Sequence, residues 1–167
     1  ARNIIAISPI KSANAPVVLL AAHYDTRLFA DADPAPEQRV SAPLGANSNA
    51  SGVGLLLELI RTLNVEESGH TFCLALFDAD DNGNLPDWEA FWGSRFFVEN
   101  VAESINLCRR PQIVLLVDTV GYAGQSLSIV ADNNAIALRD SIQQTAAELG
   151  YGNKFRSDNA GIIATPL

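Results

Sequence analysis

The amino-acid sequence predicts an α/β fold: a three-layer αβα sandwich on a mainly parallel or mixed central sheet. Three observations lead there. Continuous apolar runs at 17–22, 71–77 and 113–117 have the length and character of strands buried on both faces. Segments with apolar residues at helical spacing lie between and after them. The two kinds of segment alternate, the order expected of a sheet covered by helices on both sides.

Asn3 to Ser8 is a short β-prone run ended by Pro9. Val17 to Ala22 is the first fully apolar strand. Residues 24–47 lack periodicity, carry Pro34, Pro36 and Pro43, and read as a long loop. Loops of that length in compact domains are usually functional or mobile. Val53, Leu56, Leu57, Ile60 and Leu63 then mark an amphipathic helix, with Ser48 or Asn49 as its expected cap. Thr71 to Phe77 is the next strand, and 78–91 a second polar loop with Gly83 and Pro86. Ser94 to Val101 reads as a shorter helix with Phe97, Val98 and Val101 on its apolar face. Pro111 closes the connection to the strand Ile113 to Val117, and Leu127 to Val130 is another strand. Ala135, Leu138, Ile142 and Leu149 mark a helix that stops at Gly150, and Gly161 to Leu167 begins one more apolar strand. With no repeat, low-complexity tract or boundary in view, residues 1–167 read as one domain.

Composition narrows the function. Apolar residues make up 48% of the 167 and charged ones 18%, so the chain reads as globular. No apolar run approaches the ~20 residues that span a bilayer. The net charge of −8 and eleven scattered basic residues argue against a nucleic-acid partner. An acidic surface suits cationic ligands such as peptide amino termini, and equally serves solubility. Cys73 lies in an apolar run and reads as a buried thiol rather than half of a disulfide. The chain opens at Ala1 and contains no Met, so native segments, a removed leader among them, are expected beyond its ends.

Ligands of such sheets bind beyond the carboxyl ends of the strands. The strand at 17–22 runs into His23-Tyr24-Asp25, that at 71–77 into Asp78-Ala79-Asp80-Asp81, and that at 113–117 into Asp118. Each acid alone could be a turn or cap residue. Together they offer an imidazole and hard carboxylates, a set suited to Zn²⁺, with Mn²⁺ or Co²⁺ as alternatives. A carboxylate two residues after a histidine can orient its ring. Adjacent acids can divide metal binding from general-base work. The 45–54 segment lacks the endings of a phosphate-binding loop, and His70 precedes its strand and reads as a surface residue.

Val17 to Arg27 (VVLLAAHYDTR), Gly45 to Ile60 (GANSNASGVGLLLELI), Ala75 to Asp81 (ALFDADD), Gly93-Ser94-Arg95 and Val117-Asp118 occur in that order. In this the sequence resembles the zinc-dependent aminopeptidase and glutaminyl-peptide cyclotransferase family of metallo-exopeptidases. The segment between Asp81 and Gly93 is more similar to the cyclase branch and its bacterial relatives. The resemblance implies a zinc-exopeptidase-like fold and one or two zinc ions. It implies His23, Asp81 and Asp118 as metal ligands, Asp25 as the partner of His23, and Asp80 as general base. Trp88 and Trp92 either line the substrate pocket or pack their loop. The implied activity is hydrolysis at peptide amino termini, or cyclisation of an amino-terminal glutamine.

The sequence departs from the family pattern at three points. Ser48 stands where the family has an aspartate ligand, and a hydroxyl is a poorer zinc ligand than a carboxylate. Asp80 replaces the usual glutamate and is one methylene shorter. The family's last ligand, a histidine beyond the final strand, would fall after Leu167. Weak or absent zinc and impaired activity are therefore expected. The second reading is a metal-free family member serving as a peptide-binding or structural module.

Overall fold

The computed structural model describes residues 2–9, 12, 14–83, 85–101, 105, 108, 110–131 and 134–156. The strand expected at 161–167 lies outside them. The chain divides into two compact units, residues 1–121 and 122–167.

In the first unit, β1 (Ile4–Ile7) and β2 (Val17–His23) precede α1 (Ala50–Thr62) and a single turn, α2 (Val65–Ser68). Then come β3 (Thr71–Phe77), α3 (Trp92–Phe96) and β4 (Ile113–Leu116). The sheet order is β1-β3-β2-β4. β2 runs parallel to both β3 and β4, and β1 lies antiparallel on β3, so the sheet is mixed as expected.

Side chains alternate across a strand, and the two faces of this sheet build two cores. On one face Leu19, Ala21, Cys73, Ala75 and Phe77 pack with Phe97 and Cys108. On the other, Val18, Leu20, Ala22, Leu74 and Leu76 pack with Leu56 of α1. Helical segments on either side of one sheet make the three layers. Gly52 sets how closely α1 sits on the sheet, because a Cβ there would lie 2.6 Å from Val117 O.

Several local expectations are corrected. Cys73 is not a free thiol: it forms a disulfide with Cys108 across a Cα–Cα distance of 5.6 Å. No short Cys-x-x-Cys-type spacing announces this, since the partners are brought together only by the core they share with Phe97. Neither Ser48 nor Asn49 caps α1 through its side chain. Asn49 instead donates Nδ2–H to Tyr24 O at 2.8 Å, tying the helix start to the end of β2. The buried stripe of α1 is Val53, Leu56, Leu59 and Leu63, while Leu57 and Ile60 face outward. The helix expected from Ser94 begins at Trp92 and widens into a π turn at Phe97–Val101. β4 is not buried on both faces: Val114 and Leu116 are 55% and 66% exposed.

In the second unit, β5 (Leu127–Ser128) pairs in parallel with β6 (Phe155–Arg156), with α4 (Ile136–Glu148) between them in sequence. β5 is shorter than the run to Val130 expected for it. Gly150 follows α4 at φ +84°, a left-handed position that glycine adopts without strain.

The Cys73–Cys108 bond closes a chain separation of 35 residues and fastens the return from the 78–107 excursion to β3. Cys108→Ser is expected to lower the unfolding free energy by about 2–4 kcal/mol, read by urea denaturation. A wild-type sample in reductant is expected to approach the same value.

Candidate functional site

β2 and β3 end abreast, with His23 paired to Phe77. β2 and β4 pair through Ala21 and Leu116, and that register continued brings Asp118 opposite His23. Val117 N–H donates to Ala21 O at 2.8 Å, and Tyr24 N–H to Phe77 O at 2.8 Å, so the ladders persist to the brink of the site. Beyond it the chain turns sharply. Ala79 and Thr119 take left-handed backbone conformations at φ 60° and 53°. For the β-branched Thr119 this is a strained geometry, of order 1–3 kcal/mol.

Asp25 organises this edge. Its carboxylate accepts the backbone N–H groups of Asp80 (3.1 Å) and Asp81 (3.0 Å) and faces His23 Nδ1 at 3.4 Å. Asn82 Nδ2 adds a longer contact at 3.4 Å. Burial pushes the Asp25 carboxyl up, but the imidazole and the two amides outweigh it and hold it below its ordinary value. On the other side of the ring, His23 Nε2 lies 3.6 Å from Asp118 Oδ1. Flanked by Asp118 and Asp25, the His23 imidazole is pushed up to about 10, against the desolvating effect of burial. The His23 contact also lowers Asp118.

The two acids of the pair have different surroundings. Asp80 Oδ1 accepts Ser94 N–H at 2.9 Å, so this carboxylate turns toward the first turn of α3. Burial raises its pKa, partly offset by the Ser94 and Gly93 contacts. Asp81 is raised by burial, with the nearby His23 opposing and Asp25 adding repulsion. Trp88 and Trp92 meet edge to face, ring centroids 6.0 Å apart. They wall a cleft of about 620 Å³ that also reaches Asp25, Leu28 and Asp78. Among the described residues, His23, Asp81 and Asp118 lie outside its lining. His70, at the opposite end of β3, places Nδ1 2.6 Å from Ser68 O.

The donor set does not complete a zinc site. Among the described residues no three His, Cys, Asp or Glu side chains gather as a metal-holding group. His23 and Asp118 face each other, but His23 Nδ1 is turned to Asp25. Residue 48 is beside them, since Thr119 N–H donates to Ser48 O at 3.3 Å. It brings only a hydroxyl, which donates to Asn49 Oδ1 at 3.4 Å. One imidazole and one facing carboxylate fall short of the three protein ligands that zinc usually takes.

Two residues without an expected role hold this edge together. Arg27 donates to Asp81 O, and to Gly83 O at 3.0 Å. Asn82, 3% exposed, accepts Leu28 N–H at 2.8 Å and donates to Thr26 O at 3.3 Å. Most of their contacts are to main-chain atoms, which residue type does not reveal. The nearest signal is the His-x-Asp-x-Arg alternation, which puts three polar side chains on one side of an extended segment.

The His23 arrangement has a pH signature. Its folded value is raised above the ordinary 6.5, so the stability it contributes is fully present below about 6.5. That contribution is lost as pH rises through about 10. In a metal-free sample, the His23 ring resonances are expected to remain those of imidazolium between these limits by NMR titration. A midpoint near 6.5 would contradict the paired geometry.

The fold has counterparts in known proteins. A family model described as Peptidase family M28 matches residues 3–164. A search of curated proteins finds no match. Among solved structures, a leucine aminopeptidase precursor from Bacteroides thetaiotaomicron VPI-5482 superposes with a TM-score of 0.79 at 28% identity, covering 95% of this chain and 56% of that one. A Zn-dependent exopeptidase from Parabacteroides distasonis ATCC 8503 gives 0.79 at 30% identity, covering 96% and 56%. A glutaminyl cyclase from Porphyromonas gingivalis gives 0.77 at 32%, covering 93% and 54%. The chain thus spans little more than half the length of these structures. With the family model matched over nearly its whole length, the chain belongs to peptidase family M28.

Proposed function

We propose that the protein acts at the free amino end of peptides, as an aminopeptidase or a glutaminyl cyclase. The observation that carries this is the placement of His23 between Asp25 and Asp118 at the common end of three strands. In this reading His23, Asp118 and Asp81 would hold a zinc ion, a set still short of the carboxylate that Ser48 does not supply, and Asp25 fixes the imidazole. Asp80 is the general base, burial raising its carboxyl above the ordinary value and so making it a stronger proton acceptor. The Trp88–Trp92 cleft, with Asp78 in its wall, receives the peptide. The Cys73–Cys108 disulfide supports an oxidising compartment.

Assays on aminoacyl-anilides and on peptides with amino-terminal glutamine, with zinc added, test the activity. Turnover abolished by His23→Ala is expected under this reading. Ser48 favours a second one, a metal-free module that binds peptides or a partner. Peptide binding without turnover in the intact protein would select it.

Position 48 separates the two. A carboxylate there, beside Asp118, would face a like charge unless a cation lay between them. Ser48→Asp is therefore expected to gain more melting temperature on addition of zinc than the parent does. Its zinc affinity by calorimetry is expected to exceed that of the parent by at least about tenfold. Equal affinities would remove position 48 from the ligand set.

A further inference from the structure

Asp81 belongs to a segment, 78–83, with no helix or strand of its own. A carboxylate on such a segment points in a fixed direction only if its peptide units are fixed. Its amide is held by Asp25, at 3.0 Å. Its carbonyl is held by Arg27, through Nη1. A second arm of the same guanidinium reaches Gly83 O at 3.0 Å. Both grips come from the stretch that follows β2, where Asp25 and Arg27 reach toward 78–83. Tyr24, just before them, turns away, its hydroxyl donating to Arg2 O at 2.6 Å.

The fork is itself aligned. Asp31 takes Nε–H and Nη2–H of Arg27 on its two oxygens, the second at 2.6 Å. That bidentate pair fixes the guanidinium plane and directs the remaining N–H groups at the two carbonyls. The Arg27 side chain is 21% exposed and that of Asp31 40%. A partly exposed ion pair adds little stability by itself. Its effect is geometric: it converts a flexible arm into a clamp. Lysine carries the same charge but lacks the planar fork and cannot span Asp31 and both carbonyls.

We infer that Arg27, aligned by Asp31, is a positioning residue for Asp81, fixing its main chain from the carbonyl side while Asp25 fixes the amide side. This rests on the proposed role of Asp81 in the site, but the clamp can be measured without it.

The experiment compares amide hydrogen exchange in the wild-type chain, Arg27→Ala, Arg27→Lys and Asp31→Asn. In Arg27→Ala, exchange of the Leu28, Asp81, Asn82 and Gly83 amides is expected to rise about tenfold. Amides of β2 and β3 are expected to keep their protection. Arg27→Lys should behave as Arg27→Ala, and Asp31→Asn should fall between. Guanidinium added far below the molar range that unfolds domains should restore protection in Arg27→Ala, and ammonium should not. Unchanged exchange at 81–83, a rise shared equally by β2 and β3, or no rescue by guanidinium would overturn the clamp.

A second arm measures zinc affinity in the Ser48→Asp background. Adding Arg27→Ala is expected to weaken binding about tenfold, as a misaimed ligand does. Loosened exchange with unchanged affinity would overturn the positioning role. Failure of Ser48→Asp itself to bind zinc would count against the proposed ligand set, and the exchange data would then decide the clamp alone.

Discussion

One carboxylate bears the organisation of the candidate site. Asp25 accepts two main-chain amides from the segment after β3 and steadies the imidazole at the end of β2. Its side chain is only 9% exposed, so each of these contacts replaces water that the group has lost. Removing it would leave two inward N–H groups without an acceptor and the ring held only from the Asp118 side. The folded edge and the arrangement of reactive groups therefore have a common cause. The neighbours of Asp25 extend the logic: Asn82 links the same two segments from within, and Arg27 does so from the side.

The sheet makes this convergence possible. Parallel pairing of β2 with β3 and β4 delivers three chain ends to one edge, at a stagger set by backbone hydrogen bonding. The two cores then hold that register, because a one-residue slip would carry each strand's apolar set to the wrong face. On one face the contact is clamped covalently at Cys73–Cys108, and on the other it depends on the missing side chain of Gly52.

Much of this architecture was legible in residue order. β2 and β3 announce themselves as unbroken apolar runs, and α1 through its periodic leucines. His23, Asp25 and Asp118 could be singled out because they follow such runs directly. What could not be read depends on distant partners. An apolar run cannot say whether both its faces are covered, so β4 resembled β2 until Val114 and Leu116 were seen facing outward. A cysteine in a strand cannot name a partner 35 residues further along the chain. The stripe of α1 departs from the expected one at Leu57 and Ile60 because Leu55, Leu56 and Leu57 in succession offer several faces at once. Arg27 and Asn82 carry no such signal, because carbonyls and amides, their main partners, are common to every residue.

The outward-facing side of β4 bears on behaviour in concentrated solution. Val114 and Leu116 present two large aliphatic groups side by side on a strand, the surface character that encourages molecules to adhere to one another. Against this works a net charge of −8, which keeps copies of the chain apart by mutual repulsion. That protection is long-ranged and fades as ions screen it, whereas the attraction of apolar surfaces does not. For residues 1–167 this repulsion is strongest at low ionic strength and at pH well above the isoelectric point near 4.6.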